Sequence, residues 1–158
     1  MTNNDILRRL RYTFNYNDAK MVELFGMGGL TVTKEQIQDW LIKEDEPGHV
    51  VLVDKELATF LNGFITEKRG KKDGPMPRPE DRLNNNIILR KLRIALNLKD
   101  DGMLAVFKLA DMRVGKHELS AFFRKPSQQQ YRVCKDQFLR NFLMGLQKKH
   151  RKAPKKEG

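Results

Sequence analysis

Two arginines and two asparagines recur at a helical spacing suited to capturing an anion. Asn4, Arg8, Arg11 and Asn15 are separated by steps of 4, 3 and 4, and Asn86, Arg90, Arg93 and Asn97 repeat the pattern. On an α-helix these steps put all four side chains on one face. Two guanidiniums flanked by amides can hold phosphate oxygens or a carboxylate bidentately. The same residues have a structural use: Arg11 can pair with Asp18, Arg93 can pair with Asp100, and asparagines cap helix ends. The structural use is the more ordinary of the two.

The stripe recurs because the chain is duplicated. At an offset of 82 residues and without a gap, 21 of 68 positions are identical, among them Asp18/Asp100, Met21/Met103, Phe25/Phe107, Lys34/Lys116 and Gly63/Gly145. Polarity is kept at most others, as at Trp40/Phe122. Copy one spans residues 1–70 and copy two residues 84–152, with a Pro/Gly-rich linker over 71–83 and a basic tail, expected to be disordered, over 153–158. The three prolines of the linker exclude regular helix there.

Charge separates the two copies. Residues 1–70 hold 9 basic and 11 acidic side chains, whereas residues 84–158 hold 18 and 6, a balance of −2 against +12 in a chain of net charge +11. Lys116, Arg132, Lys135, Arg140, Lys148, Lys149, Arg151 and Lys152 make up much of the excess. Neutralising phosphates is the usual work of such a surface, and it is sequence-independent and salt-sensitive. Tyr131 and Phe138 lie among these cations and would stack on bases if exposed. An acidic protein or an anionic membrane surface would answer the same charge.

Catalytic patterns are missing. The sequence has no GxSxG, GxxxxGK[ST] or HExxH, and no GxGxxG after a strand. Gly26-Met27-Gly28-Gly29 follows a helix, and copy two has Lys108, Ala110 and Asp111 there, so the glycines read as a helix terminator and not as a phosphate cradle. His49, His117 and His150 are scattered, so no metal site and no cofactor are expected. Cys134 aligns with Leu52 and reads as a small core hydrophobe; being single, it also excludes an intrachain disulfide. No apolar run approaches the ~18–20 residues of a membrane span, and the first residues lack a signal-peptide pattern. A soluble, cytoplasmic, non-enzymatic protein is expected.

The elements that must carry these residues are helices. Ile6, Leu7, Leu10 and Phe14 mark the first, with Asn3 or Asn4 as its cap and Asn15 in the left-handed closing position. Asp18 (Asp100) would cap the second and Asp54 (Asp136) the fourth; Thr33 and Gln36 fit a capping box for the third. Val50–Val53 is expected to be extended. The fold expected is therefore all-α: two tandem, homologous four-helix units whose middle pair resembles a helix-turn-helix. In that motif Lys34, Glu35, Gln38 and Asp39 of copy one, or Lys116, His117 and Ser120 of copy two, would face the groove. The ordinary alternative is an αα-corner, and residues 26–32 are longer than the compact turn.

The tandem NNDILRRLRYTFNYNDAKMVELF and NNNIILRKLRIALNLKDDGMLAVF, the WLIKEDEPG segment and the FLNGFITEKRG close resemble the YehS-like bacterial proteins, which are small cytoplasmic proteins with two copies of a domain of unknown function. The resemblance covers residues 3–151 and implies the two-copy layout and a bacterial, cytoplasmic setting. It brings no activity and no catalytic residues. The preferred function is nucleic-acid binding, RNA or DNA, mainly through backbone contacts of copy two. The rival is an adaptor that docks on an acidic protein or ribonucleoprotein and recruits a second partner through Glu44-Asp45-Glu46.

Overall fold

Each copy forms four helices because its apolar residues recur every three to four positions between residues that stop a helix. The computed structural model describes residues 1–151. Copy one comprises α1 (Asn3–Thr13), α2 (Asp18–Met27), α3 (Lys34–Leu41) and α4 (Asp54–Arg69); copy two comprises α5 (Asn85–Ala95), α6 (Asp100–Leu109), α7 (Lys116–Phe122) and α8 (Asp136–His150). No strand occurs among the described residues, and Val50–Val53 runs extended into α4.

Several caps lie one residue before the expected ones. Thr2, not Asn3 or Asn4, caps α1 in a box with Asp5, and Asn84 caps α5. Asn17 caps α2, accepting from the Lys20 amide, and Lys99 holds the cap position of α6, which leaves Asp18 and Asp100 as first-turn acids. Val53 and Lys135 occupy the cap positions of α4 and α8, so Asp54 and Asp136 are their first helical residues. The Thr33–Gln36 box closes α3 as the sequence suggests. Asn15 (φ 54°) and Asn97 (φ 52°) adopt the left-handed conformation expected after α1 and α5.

Within each copy the second and fourth helices touch backbone to backbone. A Cβ on Gly63 would lie 1.8 Å from the Leu24 carbonyl oxygen, and one on Gly145 would lie 2.0 Å from that of Val106. Neither position tolerates a side chain, which explains why both copies keep glycine here.

The copies pack crosswise, α4 on α5 and α1 on α8, about an approximate two-fold. Asp54 accepts from Asn3 Nδ2 of its own copy (2.7 Å) and from the Leu83 amide at the entrance to the other (2.8 Å). Asp136 does the same with Asn85 Nδ2 (2.7 Å) and the Met1 amino group (3.1 Å). Phe14 bridges the seam, 5.0 Å from the Phe64 ring and 4.9 Å from His150. One continuous apolar core spans both copies. Residues 71–83 are non-helical and lie along α4 and α5, where Asn62 Nδ2 donates to the Pro77 carbonyl (3.5 Å) and Glu80 pairs with Lys91 (2.9 Å).

Candidate nucleic-acid interface

The structure divides the Asn/Arg stripe between different tasks, most of them internal. Asn4 and Asn86 point into the core. Asn86 Nδ2 donates to the carbonyls of Phe122 (3.0 Å) and Arg132 (2.8 Å), and its Oδ1 accepts from the Cys134 amide (2.9 Å). Asn4 makes the same three bonds to Trp40, Val50 and Leu52. Each asparagine thus ties the end of the third helix and the following extended segment to the first helix. Arg8 donates to Asp5, to the Ile42 carbonyl and to Glu44. Arg11 lies 3.9 Å from Asp18. Arg93 pairs with Asp100 (2.8 Å), donates to the Leu98 carbonyl and lies over the Phe123 ring at 4.7 Å. Arg90 alone of the stripe's guanidiniums is exposed with no carboxylate partner among the described residues.

The remaining cations fall into two groups at opposite ends of α8, which spans about 21 Å at 1.5 Å per residue. Arg132, Lys135 and Arg140 are exposed around its start, and the Arg132 amide bonds to the Ala121 carbonyl (3.2 Å) at the end of α7. Lys116, also exposed, opens α7. Lys148 and Lys149 are exposed in the last turn of α8, where they also complement its dipole. Arg151 is drawn into the seam: it donates to the Tyr12 carbonyl (2.9 Å) and stacks 3.8 Å over the Tyr12 ring. Lys152 and the 153–158 tail lie outside the described residues.

Sequence reasoning passed over Arg113, Arg124 and Lys125, which flank α7 and are exposed with no ion pair among the described residues. They belong to no helical stripe; Arg113 and Arg124 are marked only by their contrast with Thr31 and Ile42 of copy one, whereas Lys125 is matched by Lys43. Phe138 is no base-stacking platform, because it packs edge-on against Phe122 at 5.1 Å; Tyr131 is half-buried. Of the expected groove-facing residues, Lys116, His117 and Ser120 are all exposed, and in copy one Gln38 donates to Asp18 (3.2 Å).

Other reactive groups are occupied. Cys134 is fully buried, and that burial first, with Asp136 second, pushes its thiol pKa up to about 12, far from a thiolate nucleophile. His49 Nδ1 sits 2.9 Å from the Ile42 carbonyl, His150 packs tilted against Phe14, and His117 is exposed on α7, so the three do not converge. No group of three His, Cys, Asp or Glu side chains able to hold a metal occurs among the described residues. In the acidic loop, Glu44 is committed to copy one. Its own backbone amide, the Thr2 hydroxyl and Arg8 hold its carboxyl down to about 2, leaving Asp45 and Glu46 exposed.

The chain is 48% identical over 147 residues to the uncharacterized protein YehS of Escherichia coli (strain K12), a match covering 92% of this chain and 94% of that protein. No solved structure matches it. A model described as a protein of unknown function (DUF1456) matches twice, over residues 3–70 and 85–152, coinciding with the two four-helix copies. The chain therefore belongs to the DUF1456 family, with two tandem copies of its domain.

Proposed function

We propose that this protein is a non-enzymatic, cytoplasmic nucleic-acid-binding protein that grips the phosphate backbone of RNA or DNA through copy two. The observation that carries this reading is a one-sided gain of cations around α7 and the start of α8. Arg113, Arg124, Arg132, Lys135 and Arg140 stand where copy one has Thr31, Ile42, Val50, Val53 and Ala58, and all five are exposed without an acidic partner among the described residues. The corresponding helix also has one acid fewer: His117 and Ala121 replace Glu35 and Asp39, while Glu118 replaces Gln36. Lys148 and Lys149 extend the positive surface to the far end of α8. No helix of the described residues is long and apolar enough to cross a membrane.

Retardation of short DNA and RNA duplexes at low salt tests the reading. Log affinity should fall linearly with log salt, with a slope of about −0.9 per phosphate contact on B-DNA. Charge reversal of Lys116, Arg132, Lys135 and Arg140 to Glu should abolish retardation. No retardation of either nucleic acid by the unaltered chain refutes the proposal.

A second reading is an adaptor whose basic copy two docks on an acidic protein or ribonucleoprotein; the exposed Asp45 and Glu46, in a loop that copy two replaces with Ser127 and Gln128, support recruitment of a second partner by copy one. Its partner would survive nuclease digestion in a pull-down.

A further inference from the structure

Beyond the basic face of copy two, the linker builds a second feature. It runs beside α4 and α5 and encloses a cleft of about 520 Å³ together with the end of α2, within the ~300–1,000 Å³ typical of small-molecule sites. Its walls are aliphatic: Met27, Ile65, Met76, Ile87 and Ile94. No aromatic ring lines it, so it offers no platform for a nucleobase, which is held by stacking. Flexible thioethers beside branched aliphatics suit a chain of methylenes, to which methionine adapts its shape.

The polar lining is equally one-sided. Lys91 Nζ lies 2.6 Å from Asn62 Oδ1 and 2.9 Å from Glu80 Oε1, so the one acid of the cleft is neutralised internally. Lys71, Lys72 and Arg90 then remain on the rim, all exposed and with no carboxylate partner among the described residues. Duplication supplies a control. The hollow beside α6 and α8 has Lys108 where the cleft has Gly26, and its other polar lining is Asp111 and Lys149; at the positions of Ile65 and Thr66, copy two carries Gln147 and Lys148.

We infer that this cleft binds a small amphipathic anion: an unbranched aliphatic chain along Met27, Ile65, Ile87 and Ile94, ending in a carboxylate or phosphate held by Lys71, Lys72 and Arg90. Isothermal titration of the full chain with decanoate, decyl phosphate, decanol and inorganic phosphate, each below micelle formation, tests it. One or both decyl anions should saturate a single site, and which of them does so identifies the head group. Decanol and inorganic phosphate should each bind at least about tenfold more weakly. At about 0.8 kcal/mol per buried methylene, shortening decanoate or decyl phosphate by two carbons should cost about fifteenfold.

Gly26 provides the blocking variant. A Cβ there meets nothing within 4 Å, so Gly26→Leu grows into the cleft without disturbing the helix. It should remove decyl-anion binding without lowering the melting temperature and with nucleic-acid retardation unchanged, which separates this site from the basic face of copy two. Lys71→Glu with Lys72→Glu, on the exposed linker, should weaken the anions at least tenfold and leave decanol unaffected. Decanol binding as tightly as the anions, no saturable binding of either anion, or undiminished binding by Gly26→Leu each overturns the inference.

Discussion

Replacing Asn86 with alanine should cost copy two much of its stability without touching an anion site. Asn86 is 3% exposed, and all three of its side-chain hydrogen bonds go to backbone. Alanine leaves the Phe122 carbonyl and the Cys134 amide buried without these partners, whereas the Arg132 carbonyl, being only part-buried, regains water. At about 1–3 kcal/mol for each buried group left unsatisfied, the loss is about 4 kcal/mol, set against the ~5–15 kcal/mol of a typical native state. Urea unfolding followed by circular dichroism reads this directly: with a slope of about 2 kcal/mol per molar, the midpoint falls by about 2 M. Asn86→Asp sharpens the test. Its carboxylate would face two carbonyl oxygens within 3.0 Å, so the neutral acid is favoured in the fold. The folded pKa then rises above the ordinary value of about 3.9. The variant is most stable below about pH 4 and loses stability as pH rises through that raised value. A midpoint shift under about 0.5 M for Asn86→Ala, or a loss of nucleic-acid affinity with stability unchanged, refutes the structural assignment and returns the asparagine to an anion site.

Three further outcomes follow from the packing and the titrating groups. Gly145→Ala should destabilise by about 3 kcal/mol or more, because its Cβ would meet a carbonyl oxygen at 2.0 Å, whereas Gly26→Ala should stabilise by up to about 1 kcal/mol; chemical denaturation of both tests the contrast. Glu44, held down to about 2 from 4.5, contributes stability above its unfolded pKa that is lost as pH falls towards 2, and Glu44→Gln should flatten that limb of the pH–stability curve. Burial, then Lys149 and Lys68, lower the His150 pKa from 6.5, so the neutral ring on Phe14 stabilises the fold above that value and the benefit fades on acidification; the melting-temperature difference between pH 8 and pH 5.5 should shrink in His150→Gln.

The helical units were legible because duplication doubles the signal. Apolar pairs such as Leu10/Leu92 and Phe60/Phe142 fix the buried faces, and Asn15/Asn97, placed just past a periodic run, announce a left-handed residue. At α2, Asn17 and Asp18 are equally suited to cap, and only backbone geometry selects Asn17; Val53, Lys99 and Lys135 hold their cap positions without a side-chain bond, which residue type cannot signal. Asn4 and Asn86 carried a signal that went unread. Each stands three residues before a fully buried leucine, Leu7 or Leu89, and therefore on the core face, where an amide must bond to backbone and not to a ligand. Their partners, 36 to 48 residues away in sequence, follow no periodicity. The interface cations were readable as a total but not as a place: Arg151 looks no different from Lys149 until Tyr12 is found beneath it. The linker cleft could not be foreseen, since its walls come from three helices and a segment without regular structure.

The crosswise seam bears on how so lopsided a charge distribution arose. Two interchangeable surfaces meeting about a dyad are what a homodimer offers, so a single-copy ancestor that paired with itself would already have possessed this architecture. In such a dimer every substitution appears twice, and two subunits each bearing the +12 of residues 84–158 would confront one another with +24. Covalent tethering removes that symmetry, because each half then needs to suit only its sibling, held at high effective concentration. With residues 1–70 at −2, only one half of the pair is cationic, and like-charge repulsion across the seam does not arise.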